Sequence, residues 1–258
     1  MFNIIWASTL LQAKQSFARP TFKFIILFQP VLYSCLFFLI LKENQSINIG
    51  EYIIVSVGLI NLWSTIINSS ASDIERERYM GTLEVIYITP TDFRIIFLGK
   101  VIGNLLLGIF SMLLSFVVLK FIFSLDIIIN HPISFLLSLL LTILAFSVIS
   151  MLMGYLFTLS RNSRLLMNIL EYPVYILCGI MVPIEFLPSF LRIFSYILPP
   201  TWSAKLLRES IIGIENTNLF ILNLVILVFL IIFFFIVSHF LYKKIDYETK
   251  IRGSLGVH

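Results

Sequence analysis

The chain has 258 residues, of which 59% are hydrophobic and only 12% are charged, and its formal net charge is +4. Its mean hydropathy is +1.00, whereas soluble domains contain only about 45–50% apolar residues. This composition excludes a soluble globular domain as the main body of the chain. Cys35 and Cys178 lie within apolar segments, so we expect two buried thiols and no disulfide.

Long apolar runs dominate the sequence. A helix needs about 20 apolar residues to cross a hydrocarbon core of about 30 Å. Six runs approach this length, although Glu171 and Pro173 interrupt the fifth: 22–41, 52–71, 95–119, 133–159, 165–182 and 219–241. We therefore predict an all-α membrane protein with six transmembrane helices in a single domain, residues 1–258. The start of the chain lacks the pattern of a cleaved signal peptide.

Basic residues predict the orientation, because Lys and Arg accumulate in cytoplasmic loops. If both termini are cytoplasmic, only five of the 18 basic residues fall outside: Lys42, Lys120, Arg192, Lys205 and Arg208. We therefore predict cytoplasmic termini. The net positive charge then reflects topology and contact with anionic membrane lipids, and it indicates no nucleic-acid partner.

Residues 1–20 have the pattern of an amphipathic helix that ends at Pro20. Apolar side chains recur at steps of three and four on one face, and polar ones occupy the opposite face. We predict an interfacial helix at the membrane surface, either as an anchor or next to a partner. The apolar face contains Phe2, Trp6, Leu10, Ala13 and Phe17, and the polar face contains Ser8, Gln12, Gln15 and Arg19.

The second and third spans are joined by a densely charged segment, residues 73–90, which we call the elbow. Ser72 and Glu75 have the capping-box spacing that starts a helix, and Glu75–Arg78 predicts a charged, water-facing turn. Gly81 is expected to bend the chain, and Pro90 to open the third span. A solvated loop is the simpler interpretation, but mixed charges within one turn are typical of a docking surface.

Polar residues inside two spans are candidate pathway residues. In span two, polar side chains step by three and four along one face, which either lines a pathway or meets another helix. Span five contains Glu171. A carboxylate is costly in lipid, so its default interpretation is a functional one. The alternatives for it are an ion pair with Arg161 or Arg164, or snorkelling to the inner surface. The candidates are Asn61, Ser64, Thr65, Asn68, Glu171 and Tyr172.

Residues 183–217 are too rich in proline for a span and too apolar for an open loop. Irregular backbone at membrane depth must be covered by protein or by water. We predict a re-entrant helical hairpin on the outer side, either closing an exit or lying passively at the interface. Its marker residues are Pro183, Pro188, Pro199, Pro200 and Arg208.

Two blocks resemble the membrane (permease) subunits of type-2 ATP-binding-cassette exporters. "ERERYMGTLEVIYITPTDFRIIFLGK" is similar to the family's element between spans two and three, including Gly99-Lys100. "GIMVPIEFLPSFLRIFSYILPPTWSAKLLRESIIG" is similar to its proline-rich stretch after span five. With the six predicted spans and the amphipathic amino terminus, the resemblance covers nearly the whole chain.

The resemblance implies that the elbow is a coupling helix that docks on a separate ATPase subunit. It also implies two ATPase copies, a second permease chain, identical or paralogous, and a bacterial or archaeal cell membrane. ATP and Mg²⁺ would be bound by the ATPase, and this chain itself would need no cofactor. The implied coupling residues are Glu75, Arg76, Glu77, Arg78, Gly81, Thr82, Leu83, Glu84 and Pro90.

Motifs for chemistry in the chain itself are absent from the sequence. It has no phosphate-binding G-x-x-x-x-G-K stretch, no histidines at metal-ligand spacing and no carboxylate pair or nucleophile arranged for catalysis. We therefore expect a transport subunit and not an enzyme. The resemblance implies a cargo such as a drug, an antimicrobial peptide, a lipid-like molecule or a glycan, and the Ile- and Phe-rich spans with the lone Glu171 favour an amphipathic or hydrophobic one. The alternatives are an exporter of glycan or teichoic-acid-type polymers, a secondary transporter or channel without an ATPase, and a membrane-embedded enzyme or assembly factor.

Overall fold

The computed structural model describes residues 1–41, 49–82, 85, 91, 93–125, 128–159 and 163–252, with only the backbone described for some helical residues, Glu75 among them. No strand occurs in these ranges. The predicted all-α class is therefore confirmed over the described part of the chain.

Four long helices are described in the first half of the chain. The amphipathic segment forms α1, and the first apolar run forms α2, which contains a π-helical stretch at Phe24–Phe28. The next helix is continuous through Ser72, so the helix start predicted there is wrong: apolar residues and the charged turn share one uninterrupted helix. The bounds are α1 Phe2–Ala18, α2 Pro20–Leu41, α3 Ile49–Tyr79 and α4 Phe93–Phe121.

Five helices follow in the second half. Two short α-helices lie between residues 183 and 217, where the sequence predicted a helical hairpin, and a long final helix extends well beyond the predicted span 219–241. The bounds are α5 Pro132–Leu159, α6 Ser163–Leu177, α7 Ser189–Ile197, α8 Pro199–Ile212 and α9 Thr217–Arg252.

Five of the described helices are long and apolar enough to cross a membrane: Pro20–Leu41, Gly50–Asn68, Arg94–Phe121, Pro132–Thr158 and Thr217–Lys244. The predicted fifth span is the exception. Its helix, α6, has 15 residues, and the chain turns soon after it at Gly179, whose φ of +68° favours glycine. The count of six spans is therefore not confirmed.

Helix α3 is the centre of the bundle. Of its most apolar window, 89% is buried, against 22% for the corresponding windows of α2 and α9. Its Trp63 is 2% exposed and packs edge-on against Phe146 of α5, with ring centroids 5.8 Å apart. Polar and charged residues along α3 are consequently brought against its neighbours.

The two ends of the bundle differ. At one end, α3 leads into the elbow; we call this the elbow end. At the other end, the backbone N–H of His131 donates to the carbonyl of Ser210 at 3.1 Å, which joins the start of α5 to α8. This second end, which carries α7 and α8, is called the hairpin end. The predicted dip of residues 183–217 into the membrane stays a prediction.

Candidate coupling site and polar cluster

The amino-terminal helix packs with its backbone close to α4. A Cβ atom added at Gly99 would lie 2.7 Å from the carbonyl oxygen of Ile5, and one at Gly103 would lie 2.9 Å from that of Thr9. The hydroxyl of Thr9 donates to the carbonyl of Gly99 at 3.0 Å. Two glycines four residues apart therefore allow the backbones of α1 and α4 to pack closely, as small residues do between membrane helices.

The polar face of α1 is buried at this contact with α4 and does not face water. Gln12 is 1% exposed, and its amide donates to Oδ1 of Asn104 on α4 at 3.0 Å. The same amide donates to the carboxylate of Asp73 on α3, which also forms an ion pair with Arg19. The Gln12 amide of α1 therefore joins α1 to both α3 and α4. The apolar face remains exposed, with Phe2 76% and Trp6 55% accessible.

A second ion pair joins the elbow to α4. Glu77 pairs with Lys100, and their side chains are 9% and 10% exposed. Nearby, Arg76 donates to the side-chain carbonyl of Gln15 on α1. Burial, and secondarily the positive charge of Arg19, lowers the pKa of the Arg76 guanidinium, which nevertheless stays charged at neutral pH. Breaking a buried pair by removing one partner is strongly destabilising, whereas an exposed pair contributes little.

Arg78 ties the elbow to α5. It donates to the carbonyl of Thr158 at 2.6 Å, near the C-terminus of α5, where backbone carbonyls lack helical partners. The prediction that Arg76, Glu77 and Arg78 form a water-facing turn is therefore wrong. These charges face α1, α4 and α5 because the continuous α3 carries them into the space between those helices.

The exposed part of the elbow lies just beyond these charges. Tyr79 is 89% exposed, Met80 65% and Val85 59%. Gly81 turns the chain with a φ of +67°, as expected from the sequence, and exposed Thr82 donates to the carbonyl of Glu77 at 3.3 Å. We call Tyr79, Met80 and Val85 the elbow tip. Leu83, Glu84, Pro90 and the side chain of Glu75 lie outside the described residues.

Glu171 is the centre of a polar cluster between α3 and α6. It is 7% exposed, and its Oε1 accepts hydrogen bonds from Ser64 at 2.8 Å, Tyr175 at 3.1 Å and Asn68 at 3.3 Å. The carboxylate is therefore held by neutral donors of two helices. The side chains of Arg161 and Arg164, its predicted alternative partners, lie outside the described residues.

The other candidates from spans two and five point in different directions. Asn61 donates to the hydroxyl of Ser115 on α4 at 2.8 Å. Thr65 is fully buried, whereas Tyr172 is 61% exposed and stacks edge-on against Tyr175. The polar face of α3 thus meets two helices of the same chain, which was one of the two outcomes expected from the sequence.

Arg208 anchors the hairpin end. Its guanidinium donates to the carbonyls of Gly179 at 2.8 Å and Ile180 at 3.1 Å, and to the hydroxyl of Ser56 at 3.0 Å. It also lies over the ring of Tyr52, with its central carbon 4.1 Å from the centroid. Arg208 of α8 therefore satisfies the carbonyls that follow α6. Through its contacts with Ser56 and Tyr52 it also connects α8 and this segment to α3.

The marker prolines delimit the helices at the hairpin end. Pro183 and Pro188 directly precede a short 3₁₀-helix and α7, respectively, and Pro199 and Pro200 open α8, where a missing N–H costs nothing. A cavity of about 410 Å³ lies beside Arg208. Five charged residues are among those that line it: Glu185, Lys205, Arg208, Glu209 and Glu215.

The central residues of the coupling site were not identified from the sequence. Asp73 and Asn104 were not predicted to have a role, and Gln12 was assigned only to a polar face. A signal was present, because Gly99 and Gly103 form a small-xxx-small pair next to the lone amide Asn104 in an apolar helix. Within the described residues, no three His, Cys, Asp or Glu side chains are grouped to hold a metal ion.

Comparison with known proteins identifies the family of the chain. A search of curated proteins found no match to the chain. The profile of the family described as ABC-2 type transporter matches residues 3–212, a range that includes α1, the elbow, the Glu171 cluster and both short helices of the hairpin end. The resemblance seen in the two sequence blocks is thereby confirmed. The chain belongs to the ABC-2 type transporter family, as a multi-pass membrane permease component that works with a separate ATPase subunit.

Proposed function

We propose that the chain is the permease of an exporter that moves an amphipathic or hydrophobic cargo out of a bacterial or archaeal cell. Two permease chains, identical or paralogous, and two ATPase subunits would form the working unit, with both termini of this chain in the cytoplasm. The observation that carries the proposal is the exposed elbow tip at the end of a helix whose buried charges bind it to three neighbours.

The contacts at the elbow end support a mechanical route for the energy of ATP hydrolysis. Movement of the ATPase pair displaces the elbow tip, and α3 moves with it. Because Asp73 and Glu77 connect α3 to α1 and α4, and Arg78 connects it to α5, the displacement reaches these helices together. We therefore expect the elbow tip, α3, and the adjoining ends of α1, α4 and α5 to move as one unit.

The same helix supports a link to the membrane interior. Ser64 and Asn68 of α3 donate to Glu171 of α6, so a shift of α3 changes the hydrogen bonds of the only carboxylate described at that depth in α6. We propose that α6 and residues 178–182 complete the sixth crossing, and that cargo leaves past residues 183–217. A pathway lined mainly by apolar groups with one carboxylate favours an amphipathic cargo.

Purification in mild detergent from native membranes tests the assignment. We expect an ATPase to accompany the chain, and Tyr79→Asp or Met80→Asp to reduce its recovery, since these side chains are exposed and contribute little to folding. Ile128→Asp is the matched control, being 68% exposed in the loop before α5. Undiminished ATPase recovery with both elbow-tip variants would contradict docking at this surface.

Charge reversal at Glu75 and Arg78 is also predicted to weaken the association. Arg78 additionally holds the end of α5, so the elbow-tip variants separate docking from folding more cleanly. Reconstitution in vesicles decides between an ATPase-driven exporter and a secondary transporter. Uphill transport by the chain without an ATPase subunit would contradict the proposed function.

A further inference from the structure

A second feature of the molecule lies on the outer face of the helix bundle, between the elbow end and the hairpin end. An apolar groove of about 560 Å³ is lined by residues of α4, α5 and α9. This volume lies within the range of about 300–1,000 Å³ that is typical of small-molecule sites. Its lining lies in segments that are apolar enough to cross the membrane.

The groove is open at the outer surface of the helix bundle. Leu106, Leu144, Ile232 and Phe235 each line it and expose between 51% and 56% of their surface. Along α4, its lining extends from Leu98 to Ile109, which corresponds to about 16 Å at 1.5 Å per residue. Acyl chains surround the outer face of a helix that spans the membrane, so an elongated apolar groove on these helices fits a single lipid tail.

A basic cluster, formed by Arg94, His239, Lys243 and Lys244, lies about one helical turn beyond the groove toward the elbow end. Arg94 precedes Leu98 by four residues on α4, and His239 follows Phe235 by four residues on α9, so each lies on the face that lines the groove. Arg94 donates to Nδ1 of His239 at 3.4 Å. Its central carbon is 3.9 Å from the ring centroid of Tyr242.

Aromatic packing fixes the base of the groove and gives the cluster its position. Tyr242 packs against Tyr155 of α5, and Tyr155 against Phe97 of α4, each with ring centroids 5.4 Å apart. Lys243 and Lys244 are exposed and directly follow Tyr242 on α9. Three cationic side chains therefore lie where the groove reaches the polar boundary of its helices.

We propose that this groove binds a resident anionic glycerophospholipid, with one acyl chain between α4, α5 and α9 and its phosphate at Arg94 and Lys243. A guanidinium suits phosphate because it offers paired N–H donors. Charge complementarity selects an anionic headgroup over a zwitterionic one, and each nearby Lys or Arg contributes to that attraction. The site is independent of the elbow tip and of the cargo.

Native mass spectrometry of the purified chain tests the site. The protein is delipidated and incubated with an equimolar mixture of dioleoylphosphatidylglycerol and dioleoylphosphatidylcholine, which have identical chains. We expect preferential retention of the phosphatidylglycerol and a preference about fivefold lower in Arg94→Gln, with Arg94→Lys retaining most of it. Lys23→Gln, an exposed cation in α2, is the control and keeps the full preference.

A groove-filling change tests the acyl chain. Ile232→Trp should reduce retention of both lipids, whereas Ile221→Trp should not, since Ile221 has 53% exposure on the same helix and lies outside the groove. Equal retention of both lipids by the wild type would overturn the proposal. So would a headgroup preference unchanged in Arg94→Gln, or an Ile232→Trp variant that alters the oligomeric state without changing lipid retention, which would indicate a second protein chain in the groove.

Discussion

The ion pair between Glu77 and Lys100 offers a sharp test of the idea that the charged elbow is part of the protein interior. Glu77→Gln removes the negative charge and keeps the size and shape of the side chain. Lys100 then remains at 10% side-chain exposure, with its charge partner missing. If Glu77 instead served a partner through water-exposed contacts, the isolated chain would be insensitive to this change.

The expected loss follows from burial. An exposed ion pair contributes about 0–1 kcal/mol, whereas removal of one partner of a buried pair costs about 3–5 kcal/mol. With 9% and 10% of the two side chains accessible, Glu77 and Lys100 belong to the buried class. We expect about 3 kcal/mol, the lower end of the range, because a lysine can relax toward the polar end of the bundle.

Thermal unfolding of the purified chain in detergent measures the effect. For a domain of this size, 3 kcal/mol corresponds to a decrease in Tm of roughly 6–12 °C. Glu215→Gln is the matched control, because Glu215 is exposed at the hairpin end. The double variant Glu77→Leu/Lys100→Met should recover most of the stability, since replacing both partners of a buried pair by apolar groups is often neutral.

Two results would refute this reasoning. A Glu77→Gln chain as stable as Glu215→Gln would show that the pair is exposed or absent in the membrane protein. A double variant no more stable than Glu77→Gln would show that the loss arises from something other than an unpaired lysine. If the pair is confirmed, a complex that contains Glu77→Gln should still hydrolyse ATP but transport less. The variant keeps the elbow tip that docks on the ATPase and loses the connection from α3 to α4.

Three further changes follow from the geometry. Gly99→Ala should cost about 1–3 kcal/mol by overpacking, since its Cβ would lie 2.7 Å from the α1 backbone, whereas Gly58→Ala meets only a flexible methionine side chain; a comparison of Tm values checks this. Arg208→Met should expose residues 178–188 to limited proteolysis and cost about 3 kcal/mol, because buried carbonyls lose a charged donor; unchanged digestion would contradict the anchoring role. Glu171→Gln should change the free energy of unfolding by less than about 1 kcal/mol, because an amide oxygen still accepts from Ser64, but it should reduce transport; normal transport and expression would rule out a pathway role.

Much of the architecture can be predicted from the sequence because it depends on local properties. Hydropathy over about 20 residues determines which segments can lie in a membrane, and five of the six predicted spans have helices of sufficient length and apolarity. The turn at Gly81 and the helix start at Pro199 likewise depend on the conformations that single residues allow. The two blocks around the elbow and after Glu171 indicated the family because each is a contiguous stretch of sequence.

Only the tertiary structure decided what the polar residues contact. Arg19 and Asp73 are 54 residues apart, and Ser64 and Glu171 are 107 residues apart, so no local pattern specifies either pair. The charged elbow suggested a water-facing surface, but packing of α1, α4 and α5 around the end of α3 turned Arg76, Glu77 and Arg78 inward. A buried charge is stable only beside a partner, and which partner is within reach is determined by how helices pack across the whole chain.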